Sequence, residues 1–233
     1  MIFINYCSYQ NWEAKMIVAI DGPAGSGKST IAKKTAEQLG FVYIDTGAMY
    51  RALTYGYLQA PIDCSKKEER IAFLERMKVG FNQKNEITLN DIVIKDEIRT
   101  FEVSEKVSYI CSFPEIREAM TQLQRELAKE HSVIMDGRDI GTSVFPNADL
   151  KLFFVADSKE RARRRQLDYL AKGIEKTVEE VEKEIVKRDE LDSSRELSPL
   201  CKAKDAIEID TTALSIDEVC EKIFLLVDER KGA

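Results

Sequence analysis

The run Gly22-Pro23-Ala24-Gly25-Ser26-Gly27-Lys28-Ser29 fits G-x-x-x-x-G-K-[ST] without a mismatch, the pattern of a loop that cradles polyphosphate. Glycines at 22, 25 and 27 let backbone N–H groups turn inward and approach a phosphate closely, where side chains would obstruct them. Lys28 can reach the outer phosphates as a mobile point charge, and Ser29 can place its hydroxyl on Mg²⁺. The motif alone does not separate a kinase from a GTPase or an ATPase. A second charged set lies at Asp136-Gly137-Arg138-Asp139-Ile140-Gly141-Thr142. Asp136 can hold Mg²⁺ through water, Arg138 can bind phosphate, and Asp139 can accept hydrogen bonds from a substrate. The competing reading is an Arg–Asp pair that tightens a loop between two glycines. Charged groups at the end of a buried strand are costly as decoration, which favours a site.

These residues need elements to hold them. Ile17-Val18-Ala19-Ile20 is a β-branched apolar run of the kind buried on both faces of a parallel sheet. Ile31 to Leu39 reads as a helix starting near Lys28 and stopped by Gly40. Its N-terminal donors add partial positive charge at the phosphates. Phe41-Val42-Tyr43-Ile44 is a second strand, and the turn after it leads into a helix to about Leu58. Thr46 and Arg51 at that strand's end either meet a second phosphate-bearing group or serve as a helix cap and a surface charge. Between Pro61 and about Glu130 the pattern changes. A charged helix over 66–77 is followed by short strands at 79–82, 86–89 and 92–95, an antiparallel insert in a parallel scheme. Helices over 98–111 and from Pro114 to about Lys129 complete it. Ser132 to Asp136, Leu150 to Val155 and Asp205 to Ile209 are further core strands. Ser158 is placed to cap a helix bearing Arg161, Arg163, Arg164 and Arg165 that ends near Gly173. A charged helix over 178–190 follows, with Arg188, Asp192 and Arg195 around its end. A closing helix, 215–227, carries Ile216, Val219, Ile223, Leu226 and Val227 at helical spacing.

Composition excludes several classes. The 233 residues are 44% hydrophobic and carry a net charge of −6. That is enough for a sizeable core and gives no global positive field toward nucleic acid or anionic membrane. An Arg-rich helix is often a solvated face or a nucleic-acid patch. In an acidic chain it suits a mobile lid that neutralises charge and excludes water during phosphoryl transfer. His131 is the single histidine, which argues against a Ser-His-Asp triad or a poly-His metal site. Five scattered cysteines without a C-x-x-C pair read as reduced thiols of a cytoplasmic protein. No apolar run is long enough to span a bilayer, and residues 1–15 lack the features of a signal peptide. They form an N-terminal extension before a domain that begins at Met16. No N-K-x-D guanine-reading motif is present. A monomer is the default, since no exposed apolar heptad calls for a partner.

The combination DGPAGSGKST, DTGAMYRAL, FPEIREAM, DGRDIGTSVFP and KRDELDSSRELSPL resembles the bacterial cytidylate kinases from Met16 to the closing helix. That resemblance implies a P-loop nucleoside-monophosphate kinase: an α/β three-layer fold with a five-stranded parallel sheet. Its core would span 16–58, 130–158 and 200–233. A monophosphate-binding lobe with an antiparallel insert would cover 59–129, and a helical lid 159–199. It implies transfer of the γ-phosphoryl group of ATP, with Mg²⁺, to CMP or dCMP. Gly22 to Thr30 would bind ATP. Thr46, where serine is frequent in the family, Arg51 and Arg138 match groups at the monophosphate. Ser108, Arg117 and Asp139 match groups that read cytosine. Arg188, Asp192 and Arg195 match groups near the substrate phosphate and sugar. Arg161 and Arg165 match lid arginines that approach the moving phosphate. Lys28, Arg138, Arg161, Arg165 and Arg188 are thus the expected catalytic charges.

Overall fold

The computed structural model describes residues 15–60, 62–171 and 173–231. The expected N-terminal extension lies outside these apart from Lys15, as does Pro61 at the change of composition. In chain order the elements are β1 (Ile17–Asp21), α1 (Lys28–Leu39), β2 (Val42–Asp45), α2 (Thr46–Leu58) and α3 (Lys67–Arg76). Next come β3 (Val79–Phe81), β4 (Ile87–Leu89), β5 (Ile92–Val93), α4 (Phe101–Ile110) and α5 (Pro114–Leu127). The chain ends with β6 (Val133–Gly137), β7 (Leu150–Val155), α6 (Ser158–Leu170), α7 (Val178–Ser193), β8 (Ile207–Asp210) and α8 (Ile216–Lys231). They form two compact units: residues 15–44 with 130–231, and residues 45–129.

The first unit is built on a five-stranded parallel sheet of order β2-β6-β1-β7-β8. β1 lies at its centre, with Ile20 opposite Asp136 on one side and Leu152 on the other. Val18, Ala19 and Ile20 are fully buried, as are Val133, Ile134 and Met135, as the apolar runs require of strands covered on both faces. α1 and α8 pack together. Val219, Cys220, Ile223 and Val227 of α8 are buried, but Ile216 is exposed because it is the first residue of that helix. The α1 boundaries follow from its glycines: Gly27 and Gly40 both adopt the left-handed conformation, and the Gly40 N–H closes on Ala36 and Glu37.

The second unit packs α2 against α4, α5, β3 and β4. Its antiparallel sheet runs β3-β4-β5. The strands are shorter than their apolar patterns suggest: Asn82 and Glu86 pair with each other at the first turn, and Ile94 and Lys95 lie past the end of β5. Asn90 and Asp91 both take positive φ, 51° and 65°, the geometry of a two-residue hairpin turn that follows the strand twist. The 98–111 stretch divides into a short 3₁₀ turn at Glu97–Arg99 and α4, with Thr100 capping the latter.

One capping expectation is corrected. Asp157, not Ser158, caps α6: its carboxylate accepts from the N–H groups of Lys159 and Glu160. An acidic oxygen beside the helix N-terminus gains from the dipole as well as the hydrogen bonds. The Ser158 hydroxyl is engaged by Glu182 instead.

Gly22 is the point where β1 turns into the phosphate loop. Its φ is +150°, and a Cβ placed there would lie 2.3 Å from the Phe154 carbonyl oxygen of β7. Backbone cannot yield as a side-chain tip can. Gly22→Ala is therefore expected to cost about 3 kcal/mol or more in folding stability, measured by urea unfolding; a cost within experimental scatter would show that β7 can retreat.

Candidate active site

The phosphate loop sits where the sequence places it, between β1 and α1, at the carboxyl edge of the sheet. Lys28 is 4% exposed and donates through Nζ to the Pro23 carbonyl at 2.6 Å and to Ser26 Oγ at 3.2 Å. Burial, with the Arg138 charge adding to it, pulls its ammonium well below the ordinary lysine value. Asp136, Asp189 and Asp21 act in the opposite sense. A polyphosphate brought to this loop would favour the charged ammonium strongly. Ser29 and Thr30 are exposed at the start of α1.

Asp136, 4% exposed, ends its run on β6 beside the loop. One carboxylate oxygen accepts from Ser29 Oγ at 2.8 Å, the other from the Tyr43 hydroxyl at 2.8 Å. The serine and aspartate expected at the metal are thus side by side, and their hard oxygen donors are of the kind Mg²⁺ takes. No group of three or more His, Cys, Asp or Glu side chains among the described residues forms a metal cage by itself.

Past β6, Asp21 of β1 holds the next turn in place. Its two oxygens accept from the N–H groups of Ile140 and Gly141 at 2.8 and 2.7 Å. Asp139, 4% exposed, stands at the head of this turn, and its carbonyl accepts from the Ser143 and Val144 N–H groups. Burial drives the Asp21 carboxyl up to about 7, with the neighbouring Asp139 charge in the same direction; the two backbone bonds and Lys28 oppose it.

Four of the expected charges meet on α7. Asp192, 3% exposed, receives Arg138 Nε at 3.1 Å, with Arg188 and Arg195 each at 3.9 Å. Burial would raise its carboxyl, but Arg138, Arg188 and Arg195 outweigh that and hold it below the usual value. Arg195 also donates from Nε to the Asp192 carbonyl, while its Nη2 is buried with no hydrogen-bond partner among the described residues. A buried cationic donor left over in this way is suited to an anionic or hydroxyl-bearing ligand.

The arginines of α6 divide. Arg161 is 8% exposed at the root of the helix and donates to the carbonyls of Ala24 and Ala156 and to Asp189. Arg164 donates to the carbonyls of Thr211 and Thr212. The Arg165 guanidinium lies 5.1 Å from the Tyr169 ring centroid one turn along the same helix.

In the unit of residues 45–129, Thr46 is buried at the first position of α2, and the cap is the preceding Asp45, which accepts from Ala48 N–H at 2.8 Å. That settles the capping alternative for Thr46 and places it at a helix N-terminus, a position suited to phosphate. Arg51 donates to Ser104 Oγ at 2.8 Å and the Ile98 carbonyl at 3.3 Å. Arg117, 4% exposed on α5, donates to the Cys111 carbonyl and lies 5.5 Å from the Tyr50 ring centroid. Ser108 is half-buried on α4. The sequence reading omitted Asp21, Tyr43 and Asp189. Asp21 directly precedes the first glycine of the loop and Asp189 directly follows Arg188, so adjacency alone could have flagged two of them.

A parallel sheet with the phosphate loop after its central strand, a lysine and serine at that loop and an acidic side chain on the neighbouring strand define a P-loop NTPase fold. A shikimate kinase from Bacteroides thetaiotaomicron shares that fold, with a TM-score of 0.51 at 14% identity over 92% of this chain and 99% of that one. The model of the cytidylate kinase family matches residues 18–229. Cytidylate kinases of Shouchella clausii, Clostridioides difficile and Bacillus cytotoxicus are 52%, 50% and 47% identical to it. These alignments cover 91%, 89% and 93% of this chain and 96%, 96% and 98% of those relatives. The chain belongs to the cytidylate kinase family, and it is an enzyme of the nucleoside-monophosphate kinase class with ATP as donor.

The Asp21 carboxyl carries a pH signature. Its folded-state value of about 7 lies above the unfolded value of 3.8. Its contribution to stability is therefore fully present below about 3.8 and lost as pH rises through about 7. At about 1.4 kcal/mol per pH unit this is at most about 4 kcal/mol. Asp21→Asn removes the titration, so urea unfolding at pH 5 and pH 8 should show a smaller loss in the variant than in the parent. Equal losses would mean that Asp21 titrates as an ordinary carboxyl.

Proposed function

We propose that the protein phosphorylates CMP and dCMP to CDP and dCDP with ATP by direct in-line transfer. The observation that carries this reading is the Arg138–Asp192–Arg188–Arg195 cluster in the same unit as the phosphate loop, with the buried Arg195 Nη2 left over. A site for two phosphate-bearing ligands needs fixed cations beyond those of the loop itself. The family's name and the cytidylate kinase relatives support the choice of cytosine.

In this reading Gly22 to Thr30 wrap the ATP phosphates, and Lys28 leaves the Pro23 carbonyl for the β- and γ-phosphates. An oxygen of the CMP phosphate forms a bond to the γ-phosphorus as the bond to the ADP oxygen breaks. The nucleophile is already ionised, so no protein base is required. Arg138, Arg161 and Arg188 stabilise the charge spread over the moving group. Arg165 would join them only on leaving Tyr169. Ser29, directly, and Asp136, through water, would hold Mg²⁺, which when bound neutralises phosphate charge. On the sheet unit, Asp192 and Arg195 are assigned to a sugar and Asp139 to accept from the exocyclic amino group of cytosine. On residues 45–129, taken by themselves, Thr46 and Arg51 are assigned to a phosphate, and Ser108 and Arg117 to donate to ring acceptors. Uracil presents a carbonyl in place of that amino group and meets a carboxylate unfavourably. Sites of this kind reject such analogues by roughly 10⁴-fold.

The deciding assay is ADP release from Mg-ATP with CMP, dCMP, UMP, AMP or GMP, and with no acceptor. Rapid release with CMP and dCMP alone is expected. Turnover on another monophosphate would overturn the base assignment and keep the chemistry, whereas acceptor-independent release would point to an ATPase or a switch. Lys28→Ala should lose at least about 10²-fold in kcat, on the scale of other preorganised charge contacts. Asp139→Ala should lose preference for CMP over UMP with ATP binding largely kept; an unchanged preference sinks its role.

A further inference from the structure

Asp189 has no part in the reading above, yet its carboxylate ties the phosphate loop to the α6–α7 pair. One oxygen accepts from the Ala24 N–H at 2.9 Å and the other from Arg161 Nη1. Arg161 Nη1 also donates to the Ala24 carbonyl at 2.8 Å, and its Nε to the Ala156 carbonyl at 3.1 Å. Both polar groups of the Ala24 residue are thus held, the N–H by the acid and the carbonyl by the base. The approach is close: a Cβ on Gly25 would lie 3.2 Å from both Arg161 Cβ and the Arg161 carbonyl oxygen. Beneath the contact, Ala24 packs on Ala162, Val181 and Ile185, so the same point is fixed by apolar burial.

We infer that Asp189 is a positioning residue for phosphoryl transfer, which sets the Arg161 guanidinium beside the phosphate loop before nucleotide arrives. Arg161 has five N–H donors in a rigid planar fork. Nε and Nη1 are committed to Ala156, Ala24 and Asp189, while Nη2 makes no hydrogen bond with the described residues. With Nε and Nη1 held, the plane of the guanidinium is fixed, and the two N–H groups of Nη2 are left oriented toward an anion. An arginine held this way gives up little side-chain freedom at the moment of reaction, which is the source of catalytic advantage in preorganised sites. Asp189 is also close enough to Lys28 for its charge to favour the lysine's protonated form. One carboxylate therefore serves two of the cations expected at the transferred phosphate. It touches neither substrate nor the reacting atoms; it acts through Arg161 and the loop.

This inference rests on the proposed role of Arg161. The test is a double-mutant cycle of Asp189→Ala and Arg161→Ala in the full chain. Steady-state kinetics use whichever monophosphate the acceptor panel identifies, and circular dichroism checks the fold of each variant. Asp189→Ala is expected to lower kcat about 10- to 100-fold, the scale of a lost charged hydrogen bond. The KM for the monophosphate should change little, and adding Asp189→Ala to Arg161→Ala should cost several-fold less than adding it to the parent, the remainder being its share at Lys28 and the Ala24 N–H. A kcat within about twofold of the parent overturns the inference, as do losses that multiply in the double variant, because a merely structural contact behaves in those ways. Should Asp189→Ala not fold, Asp189→Asn takes its place in the cycle. It keeps an oxygen for the Ala24 N–H and removes the charge facing Arg161, with about a tenfold loss of kcat expected. If Arg161→Ala alone keeps the parent kcat, the role of Arg161 falls and this inference with it. A panel that selects a monophosphate other than CMP removes the cytosine assignment and leaves the cycle intact.

Discussion

Burying a lysine beside a loop that must stay open to phosphate is the constraint from which the rest of the sheet unit follows. An isolated ammonium removed from water is costly unless opposite charges and hydrogen-bond acceptors stand around it. Lys28 has the Pro23 carbonyl, the Ser26 hydroxyl and the fields of Asp136, Asp189 and Asp21. Each of those carboxylates is in turn occupied by a different piece of the fold. Asp136 takes Ser29 and Tyr43, Asp21 takes the turn after β6, and Asp189 takes Ala24 and Arg161. The charge balance around one lysine thereby connects β1, β2, β6, α6 and α7. This explains why so many side chains of both signs converge on the carboxyl edge of an otherwise apolar sheet.

The arginines show that one residue type performs distinct mechanical tasks. Arg164 fastens α6 to the segment after β8 through two carbonyls. Arg138 and Arg195 surround a carboxylate, and Arg195 keeps a buried donor in reserve. Arg165 rests on an aromatic face, an arrangement easily exchanged for a stronger anion. Number of acceptors at each guanidinium, rather than position along the helix, separates the structural from the chemically available ones.

Much of this was legible in the chain. The apolar runs located the five core strands, and the loop motif fixed its own context, because period and glycine placement are local properties. The sequence places the cap of α6 at Ser158, one residue late: Asp157 is as good a cap by type, and only the path of the backbone decides. The strands of the insert end before their apolar patterns do, although single backbone bonds, Asn82 N–H to the Glu86 carbonyl and Ile94 N–H to the Ile87 carbonyl, continue past their ends. Of the residues singled out by the chemistry of their positions, Ser29 and Asp136 lie in hydrogen-bond contact and Lys28 is held within the loop. Asp189 is not singled out, although it stands inside a recognised motif. Its partner Ala24 is 165 residues away, and no spacing rule signals a bond formed only by tertiary packing. Tyr43 was hidden for the same reason: in a strand it is indistinguishable from a core aromatic until its hydroxyl is seen on Asp136.

The neighbouring places of β2 and β6 in the sheet have a consequence for how such a chain diversifies. Residues 45–129 occupy the stretch of sequence that in a simple βαβ unit would be one crossover helix. All that the sheet asks of this connection is that it leave one parallel strand and return to start the next. For a flexible connection the entropic cost of closure grows only as the logarithm of length, so extra residues are cheap once the return is made. The segment is accordingly free to carry its own hydrophobic core and its own small sheet. Insertion, deletion or exchange there asks nothing of the strand register beneath the phosphate loop.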